Sequence, residues 1–349
     1  LFRSEINGIQ SQHVGTSPKH FAVNSQEYHR MTSSSNVDER TYREIYLTNF
    51  EIAVKKGHPW TIMNSYNRIN GTFACESKDL LTDILRDEWG FDGYVMTDWG
   101  AMDERVPALL AGCDLEMPGP GGLTKDIIEA VKSGALDEKV LDQAVSRLLD
   151  VIFRYAEHRQ EAVFDYEKDH DLAAEAAENC CVLLKNDDDI LPLPKKAKVA
   201  FIGQYAEKPR FQGGGSSHIN CFKTESALEA LPKVAPEAEV TYARGFDDSK
   251  DEIDEALIQE AVEIAKKADA AVVFAGLPDS YESEGYDRKH LRMPEGQNVL
   301  IERIAESNPN TIVVLHNGSA IEMPWAGKVK AILPNIVKRG VKIVMNRGK

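Results

Sequence analysis

The chain has 349 residues, of which 42% are hydrophobic, and its 41 basic and 56 acidic residues give a formal net charge of −15. Its length fits about two domains of ordinary size. The acidic balance argues against nucleic acid and anionic membranes as partners, and no apolar run reaches the ~18 residues that a membrane helix needs. We therefore expect two domains that act on a neutral substrate, with no nucleic-acid or membrane partner.

The first ~150 residues alternate apolar segments with amphipathic helical patterns, which is typical of a parallel sheet with crossover helices. The predicted strands are His13–Phe21, Trp60–Tyr66, Gly93–Thr97 and Cys113–Met117, and the predicted helices between them are Thr41–Lys56 and Lys78–Trp89. Each strand ends in polar or charged residues. Four such β/α units are similar to part of a (β/α)8 TIM-type barrel, which four units cannot close.

A second α/β pattern occupies the rest of the chain. Before it, the sequence is helical from Leu123 to Ala156 and then charged over Glu157–Asp171, which is typical of a surface connection. The elements predicted after this connection are the strands Val199–Gly203, Ala270–Gly276 and Thr311–His316 and the helix Ile253–Lys267. We predict an open, mostly parallel sheet with helices on both faces, an α/β sandwich domain.

The predicted domain boundaries follow from these patterns. Residues 1–158 form the C-terminal part of a barrel, 159–176 a linker, and 177–349 an α/β sandwich that is incomplete at its C-terminus.

The cysteines and the start of the chain bear on its location. The five cysteines lack metal-ligand spacing: Cys75, Cys113, Cys180, Cys181 and Cys221. Their odd number favours free thiols in a reducing compartment over disulfides. No signal peptide is visible after Leu1, so we predict a cytoplasmic protein. We also predict that it needs no metal or other cofactor. The sequence is compatible with a homo-oligomer and does not decide the oligomeric state.

The stretch Gly93–Gly100 carries the strongest functional signal. Its apolar strand ends in Asp98, followed by Trp99, and a carboxylate is disfavoured in a strand interior. In parallel α/β folds the carboxyl ends of strands are where ligands bind and catalytic groups project. The alternative is that Asp98 caps a following helix.

Polar and aromatic residues lie in or after the neighbouring predicted strands: Lys19, His20, Arg30, Tyr66 and Trp99. Such a set suits a polyhydroxylated substrate, whose hydroxyls bind charged groups and whose apolar sugar face stacks on an indole. The alternative for Lys19 and His20 is an ordinary surface pair.

The second predicted domain offers another carboxylate. A dense acidic turn runs from Tyr281 to Arg288, and Gly285 lets the backbone bend so that Glu284 can project. Two carboxylates, one as nucleophile or base and one as proton donor, are the minimum for hydrolysing a glycosidic bond. The alternative is a solvated loop.

The glycine-rich segment Gln212–Ser217 is a weak signal for nucleotide binding. It lacks the Lys-Ser/Thr of a P-loop, and His218 stands where G-x-G-x-x-G has its third glycine. A mobile loop that approaches a neighbouring ligand or domain is favoured.

These segments resemble glycoside hydrolase family 3, in its bacterial β-glucosidase branch. The matching stretches, in the family's order, are Lys19–Glu27, Asp38–Tyr46, Met63–Gly71, Gly93–Gly100, Asp114–Pro118, Val182–Asn186 and Glu282–Arg288. The resemblance implies a (β/α)8 barrel and an α/β sandwich with an active site between them. Ala22–Ser25 replaces the Pro-Gly-His-Gly loop of the N-acetylglucosaminidase branch, which disfavours that branch.

The resemblance implies a retaining β-glucosidase that removes terminal non-reducing β-D-glucosyl residues through a covalent intermediate. Asp98 would be the nucleophile and Glu284 the acid/base, with their carboxyl groups roughly 5–5.5 Å apart. The family assigns the non-reducing sugar subsite to Lys19, His20, Arg30, Tyr66 and Trp99. Glu282 is the competing acid/base, and Glu284 is preferred because it immediately precedes Gly285.

The chain departs from the family at both ends. The family's barrel begins well before the segment that matches Leu1, and the missing half carries an Asp and an Arg that grip sugar hydroxyls. The resemblance fades after Ile332, and Asn335–Lys349 is basic. Weak or no independent activity is therefore expected. The alternatives are a non-catalytic sugar-binding fragment and a β-xylosidase, with a β-glucoside or small oligosaccharide as the main expected substrate.

Overall fold

The computed structural model describes residues 2–119 and 124–336. The chain divides into two compact units, Leu1–Ala162 (unit 1) and Val163–Lys349 (unit 2). Residues 166–176 of the predicted linker 159–176 lie in a helix, Tyr166–Cys180. The charged stretch Glu157–Asp171 is exposed except at His170. The predicted helix start at Leu123 and residues 337–349 of the basic segment lie outside the described residues.

Unit 1 joins short strands by longer helices. The helices are α1 (Phe2–Gln10), α2 (Glu39–Thr41), α3 (Thr48–Gly57), α4 (Arg105–Ala111), α5 (Thr124–Ser133) and α6 (Glu138–Glu157), and π-type helical segments span Tyr42–Leu47 and Asp79–Glu88. The strands are β1 (Ser34–Ser35), β2 (Thr61–Met63), β3 (Arg68–Ile69), β4 (Thr72–Phe73) and β5 (Tyr94–Met96). The two helices predicted before residue 90 are confirmed, and the one predicted up to Ala156 is two helices, separated by a turn at Gly134 with φ +76°.

The four predicted strand segments of unit 1 lie side by side in chain order. β2 pairs with β5 in parallel, and single parallel bridges join Phe21 to Asn64 and Met96 to Leu115. The strand-like segments His13–Phe21 and Cys113–Met117 pair with their neighbours through these single bridges and do not form full strands. Pro18 has no amide hydrogen for a ladder, and the Val95 amide donates to the side chain of Asp114 at 2.8 Å.

The core of unit 1 explains why these segments stay in place. The helix Asp79–Glu88 buries the apolar face predicted for it: Leu80, Leu81, Ile84 and Leu85. These side chains share one cluster with Phe21, Ile62 and Val95 from the parallel segments. Burial of this face holds the carboxyl ends of the segments together at one edge.

A buried charge cluster fixes the last of the four segments. The carboxylate of Asp114, with 1% of its side chain exposed, lies 2.7 Å from Arg86 Nη2 and 2.9 Å from Arg147 Nη1. Burial raises the pKa of Asp114, and the two guanidinium groups and the Val95 amide oppose that rise. The cluster ties helix Asp79–Glu88 and α6 to the segment beside β5.

Replacing Asp114 with alanine is expected to lower the free energy of unfolding by about 3–5 kcal/mol, because the Arg86 charge stays buried without its partner. Urea unfolding followed by circular dichroism measures this loss. The control is Glu44→Ala, which breaks an exposed pair with Arg40 and should cost less than about 1 kcal/mol. Equal losses in the two variants would contradict a structural role for the cluster.

Unit 2 is built around one six-stranded sheet. Its strands are β6 (Lys185–Asn186), β7 (Lys198–Ile202), β8 (Glu239–Ala243), β9 (Ala270–Gly276), β10 (Thr311–Asn317) and β11 (Ala331–Ile336). Its helices are α7 (Tyr166–Cys180), α8 (Ala227–Val234), α9 (Glu255–Ala265) and α10 (Glu295–Ser307). The three strands and the helix predicted here are confirmed within two residues at each end.

The strand order of this sheet creates a crevice. The order is β6-β11-β10-β9-β7-β8, parallel throughout except for β6. From β7 the chain therefore continues to β8, which lies on one side of β7, and it later returns to β9 on the other side of β7. Loops diverge at such a switch point, and the crevice beyond the carboxyl ends of the strands is where open α/β sheets bind ligands.

All five cysteines are free, and those at positions 75 and 113 are buried. Across residues 2–119 and 124–336, helices with the length and apolarity to cross a membrane are absent.

Candidate functional site

Asp98 lies just after the carboxyl end of β5, with 8% of its surface exposed. Its Oδ1 accepts the backbone N–H of Trp99 at 2.8 Å, and its Oδ2 lies 3.2 Å from His20 Nε2. The next helix, α4, begins only at Arg105 and has Glu104 as its N-cap. The alternative that Asp98 caps a helix is therefore wrong, and its carboxylate is held by two groups at the strand end.

His20 is placed to donate to this carboxylate. Burial lowers the pKa of His20, the charges of Lys19 and Arg30 lower it further, and Asp98 opposes these effects. A neutral imidazole protonated at Nε2 donates to Asp98 Oδ2 without forming a full ion pair. His20 thus orients the carboxylate.

The other unit 1 candidates surround this pair. The Arg30 guanidinium lies over the Tyr66 ring at 4.6 Å and binds Glu27 at 2.8 Å. Tyr66 is buried, whereas Lys19 is exposed and Trp99 is 51% exposed. The exposed indole of Trp99 and the exposed ammonium of Lys19, beside a buried carboxylate, leave an aromatic face and a donor available to a ligand. Sequence reasoning missed Glu27, whose three-residue spacing from Arg30 was the available signal.

Glu284 lies in unit 2, on the turn between β9 and α10. The backbone N–H of Ser216 donates to Glu284 Oε2 at 2.7 Å, and the Ser216 hydroxyl donates to the same oxygen. Gly285 has φ +97°, as the predicted bend requires. These contacts hold Glu284 against the glycine-rich loop.

The glycine-rich loop lies too close to the acidic turn for larger residues. A Cβ at Gly214 would lie 2.4 Å from Ser283 Oγ, and one at Gly215 would lie 2.5 Å from Glu284 Cβ. Glycine is thus required for packing at both positions. The loop predicted to approach a neighbouring ligand or domain approaches the acidic turn of its own unit.

Glu282, the competing acid/base candidate, has a different environment. It accepts hydrogen bonds from Arg210, the Gly318 amide and the Ser319 hydroxyl. Burial raises the pKa of Glu282, but these donors outweigh burial, so the pKa lies below its ordinary value. A carboxylate with a lowered pKa is a poor proton donor near neutral pH, which argues against Glu282 as the acid.

A buried histidine that sequence reasoning missed is hydrogen-bonded to the loop that carries Arg210. His316, at the end of β10, donates from Nδ1 to the backbone oxygen of Arg210 at 3.1 Å. Burial lowers the pKa of His316 to about 4. The signal that could have found it is its position directly after the apolar run Ile312–Leu315.

His316 should make stability depend on pH. Its folded pKa of about 4 lies below the ordinary 6.5, so its contribution is complete above pH 6.5 and is lost as pH falls towards 4. The loss reaches about 3 kcal/mol, because the unfolded chain takes up the proton first. Urea unfolding from pH 7 to 4 should show a flatter dependence for His316→Asn than for wild type. The exposed His218→Asn control should keep the wild-type slope, and a wild-type slope in His316→Asn would contradict this assignment.

The residues that the structure describes contain no group of three or more His, Cys, Asp or Glu side chains placed to hold a metal ion.

Comparison with known proteins identifies the family to which both units belong. The N-terminal domain model of glycosyl hydrolase family 3 matches residues 1–151, and the C-terminal domain model of that family matches residues 181–338. The chain belongs to glycosyl hydrolase family 3. Unit 1 accordingly represents part of the family's TIM-like barrel, and unit 2 represents its α/β sandwich.

Matches to individual proteins are consistent with membership of this family. The chain is 52% identical over 336 residues to thermostable β-glucosidase B of Acetivibrio thermocellus, covering 95% of this chain and 44% of that protein. It is 46% identical over 340 residues to an exo-α-(1→6)-L-arabinopyranosidase of Bifidobacterium longum, and the match covers 94% of this chain and 44% of that protein. Among solved structures, a family 3 β-glucosidase of Bifidobacterium adolescentis matches with a TM-score of 0.92 and 44% identity, over 97% of this chain and 50% of that one. The chain thus spans about half the length of these relatives.

Proposed function

We propose that this chain carries the nucleophile and the acid/base of a retaining β-glucosidase. The observation that carries the proposal is the placement of Asp98 at the carboxyl end of β5, held by His20 and the Trp99 amide. This is the position from which catalytic groups act in β/α barrels. Family membership and the β-glucosidase names of several relatives support the same reaction.

In the proposed reaction, Asp98 attacks the anomeric carbon while Glu284 protonates the departing glycosidic oxygen. Glu284 then removes a proton from water, which attacks the glycosyl–Asp98 ester and releases the sugar with its configuration retained. Lys19, His20 and Arg30 would bind sugar hydroxyls through charge-assisted or neutral hydrogen bonds. Trp99 would stack on the apolar face of the sugar, beside Tyr66.

The proposed substrate is a β-glucoside or a small β-linked oligosaccharide. The arabinopyranosidase name of one relative adds a second pyranoside to the substrates worth testing, and a β-xyloside is the third. All three glycosides present ring hydroxyls and an apolar face to the same side chains, so hydrolysis assays must decide which is the substrate.

Covalent labelling tests the proposal. The purified chain is incubated with a 2-fluoro-β-glucoside that carries an activated leaving group, and its peptides are mapped by mass spectrometry. We expect a fluoroglucosyl group on Asp98, none in Asp98→Asn, and undiminished labelling in the exposed control Asp92→Asn. A panel of aryl β-glucoside, β-xyloside and α-L-arabinopyranoside then ranks the sugars. A folded chain that binds glucose but shows no label would favour the non-catalytic sugar-binding alternative.

A further inference from the structure

Resting on the proposed role of Glu284, we propose that Arg210 and Glu282 are a positioning pair for the acid/base. The pair fixes the turn 279–288, and thereby sets where the Glu284 carboxylate lies. Neither residue touches the substrate in this proposal, so both act through the backbone of the turn.

The contacts of Arg210 explain how the turn is held. Arg210 Nη1 lies 2.8 Å from Glu282 Oε2, and Arg210 Nη2 donates to the backbone oxygen of Glu282 at 3.0 Å. Arg210 Nε donates to Asp279 Oδ1 at 3.2 Å. One planar guanidinium therefore holds both a side chain and a main-chain atom of the turn, a geometry that a lysine cannot reproduce.

Glu282 ties the turn to a third loop. Its Oε2 accepts the Gly318 amide at 2.9 Å, and its Oε1 accepts the Ser319 hydroxyl. Three loops therefore meet at this carboxylate, those that follow β7, β9 and β10, at the switch-point edge of the sheet.

Burial makes this network strong. The Arg210 side chain is 11% exposed and that of Glu282 is 19% exposed. A charge pair screened from water interacts more strongly than a surface pair, and removing one partner leaves the other charge unpaired.

The pair and the glycine-rich loop hold the turn from two sides. Glu282 is anchored by Arg210 and the loop after β10, whereas Glu284, two residues later, accepts hydrogen bonds from Ser216. The main chain on the N-terminal side of Glu284 is thus fixed by the pair. Because misplacing a proton donor by about 1 Å can cost ~100-fold in rate, loss of the pair should affect proton transfer more than sugar binding.

The experiment compares wild type with two variants. Glu282→Gln removes the charge and keeps the side-chain shape, whereas Arg210→Lys keeps the charge and loses the planar guanidinium. The matched control is Glu255→Gln, which breaks an exposed pair with Arg303 in the same unit. Hydrogen exchange is read over residues 279–288. Initial rates are read on 4-nitrophenyl and 2,4-dinitrophenyl β-glucosides, of which the first has the more basic leaving group and needs more acid assistance.

We expect exchange over 279–288 to quicken by ~10-fold or more in both variants and to stay unchanged in the control. The kcat/KM for the 4-nitrophenyl glucoside, which reports the first step, should fall about 10- to 100-fold, with less loss of kcat/KM on the 2,4-dinitrophenyl substrate. Unchanged exchange in both variants overturns the proposal, as does an equal loss on the two substrates. Azide-dependent formation of β-glucosyl azide by Glu282→Ala overturns it too, because that product marks the acid/base itself. If wild type hydrolyses neither substrate, the proposed function fails, and exchange alone decides on the pair.

Discussion

The Asp98→Asn variant is expected to lose about 1,000-fold or more in kcat on aryl β-glucosides, or about 4 kcal/mol of transition-state stabilisation. A carboxamide cannot form the glycosyl ester that the retaining reaction requires. The fold should persist, because the carboxamide oxygen of Asn can still accept the Trp99 amide that Asp98 accepts at 2.8 Å. Steady-state kinetics measure the loss, and urea unfolding checks the fold.

Asp92→Asn is the control for this prediction, because Asp92 is exposed and lies in the same segment. It should keep wild-type kinetics within about twofold. A folded Asp98→Asn protein with more than a tenth of wild-type kcat would remove Asp98 from the role of nucleophile.

The Glu284→Ala variant is expected to respond to the leaving group and to azide. The rate on 4-nitrophenyl β-glucoside should fall about 100- to 10,000-fold, because both steps lose their proton-transfer group. The first step on a 2,4-dinitrophenyl glucoside should fall much less. Azide, a nucleophile that needs no base, should restore turnover and yield β-glucosyl azide.

The control for this prediction is Glu255→Gln, an exposed carboxylate position of the same unit, which should respond to neither leaving group nor azide. A uniform loss on both glucosides with no azide product would move the acid/base role away from Glu284. Glu282→Ala would then be the next variant to assay with azide.

The predictable parts of this fold are those with a local signal. β9 and β10 are buried along their whole length, and each contains a continuous apolar run in the sequence. β8 was missed because its first three residues are exposed, as on an edge strand, and give no apolar pattern. The segments His13–Phe21 and Cys113–Met117 carry a strand signal, but Pro18 and the Asp114 carboxylate interrupt regular pairing.

The residues of the candidate site also differ in whether a local sequence signal marks them. Asp98, Trp99 and Glu284 stand beside strand ends and glycines that the sequence displays directly. The Arg210–Glu282 contact joins residues 72 positions apart, and no local periodicity encodes such a pair. The partner of His316 is hidden for the same reason, because it is a backbone oxygen 106 residues away.

The contact between the glycine-rich loop and the acidic turn has a consequence for folding. Ser216 and Glu284 are 68 residues apart, and the strands that carry their loops, β7 and β9, become neighbours only after β8 and α9 have been passed in the chain. Closing so long a loop is costly, and such contacts form slowly. The setting of Glu284 should therefore appear late in folding, and a synthetic peptide that spans only residues 279–288 should not reproduce it.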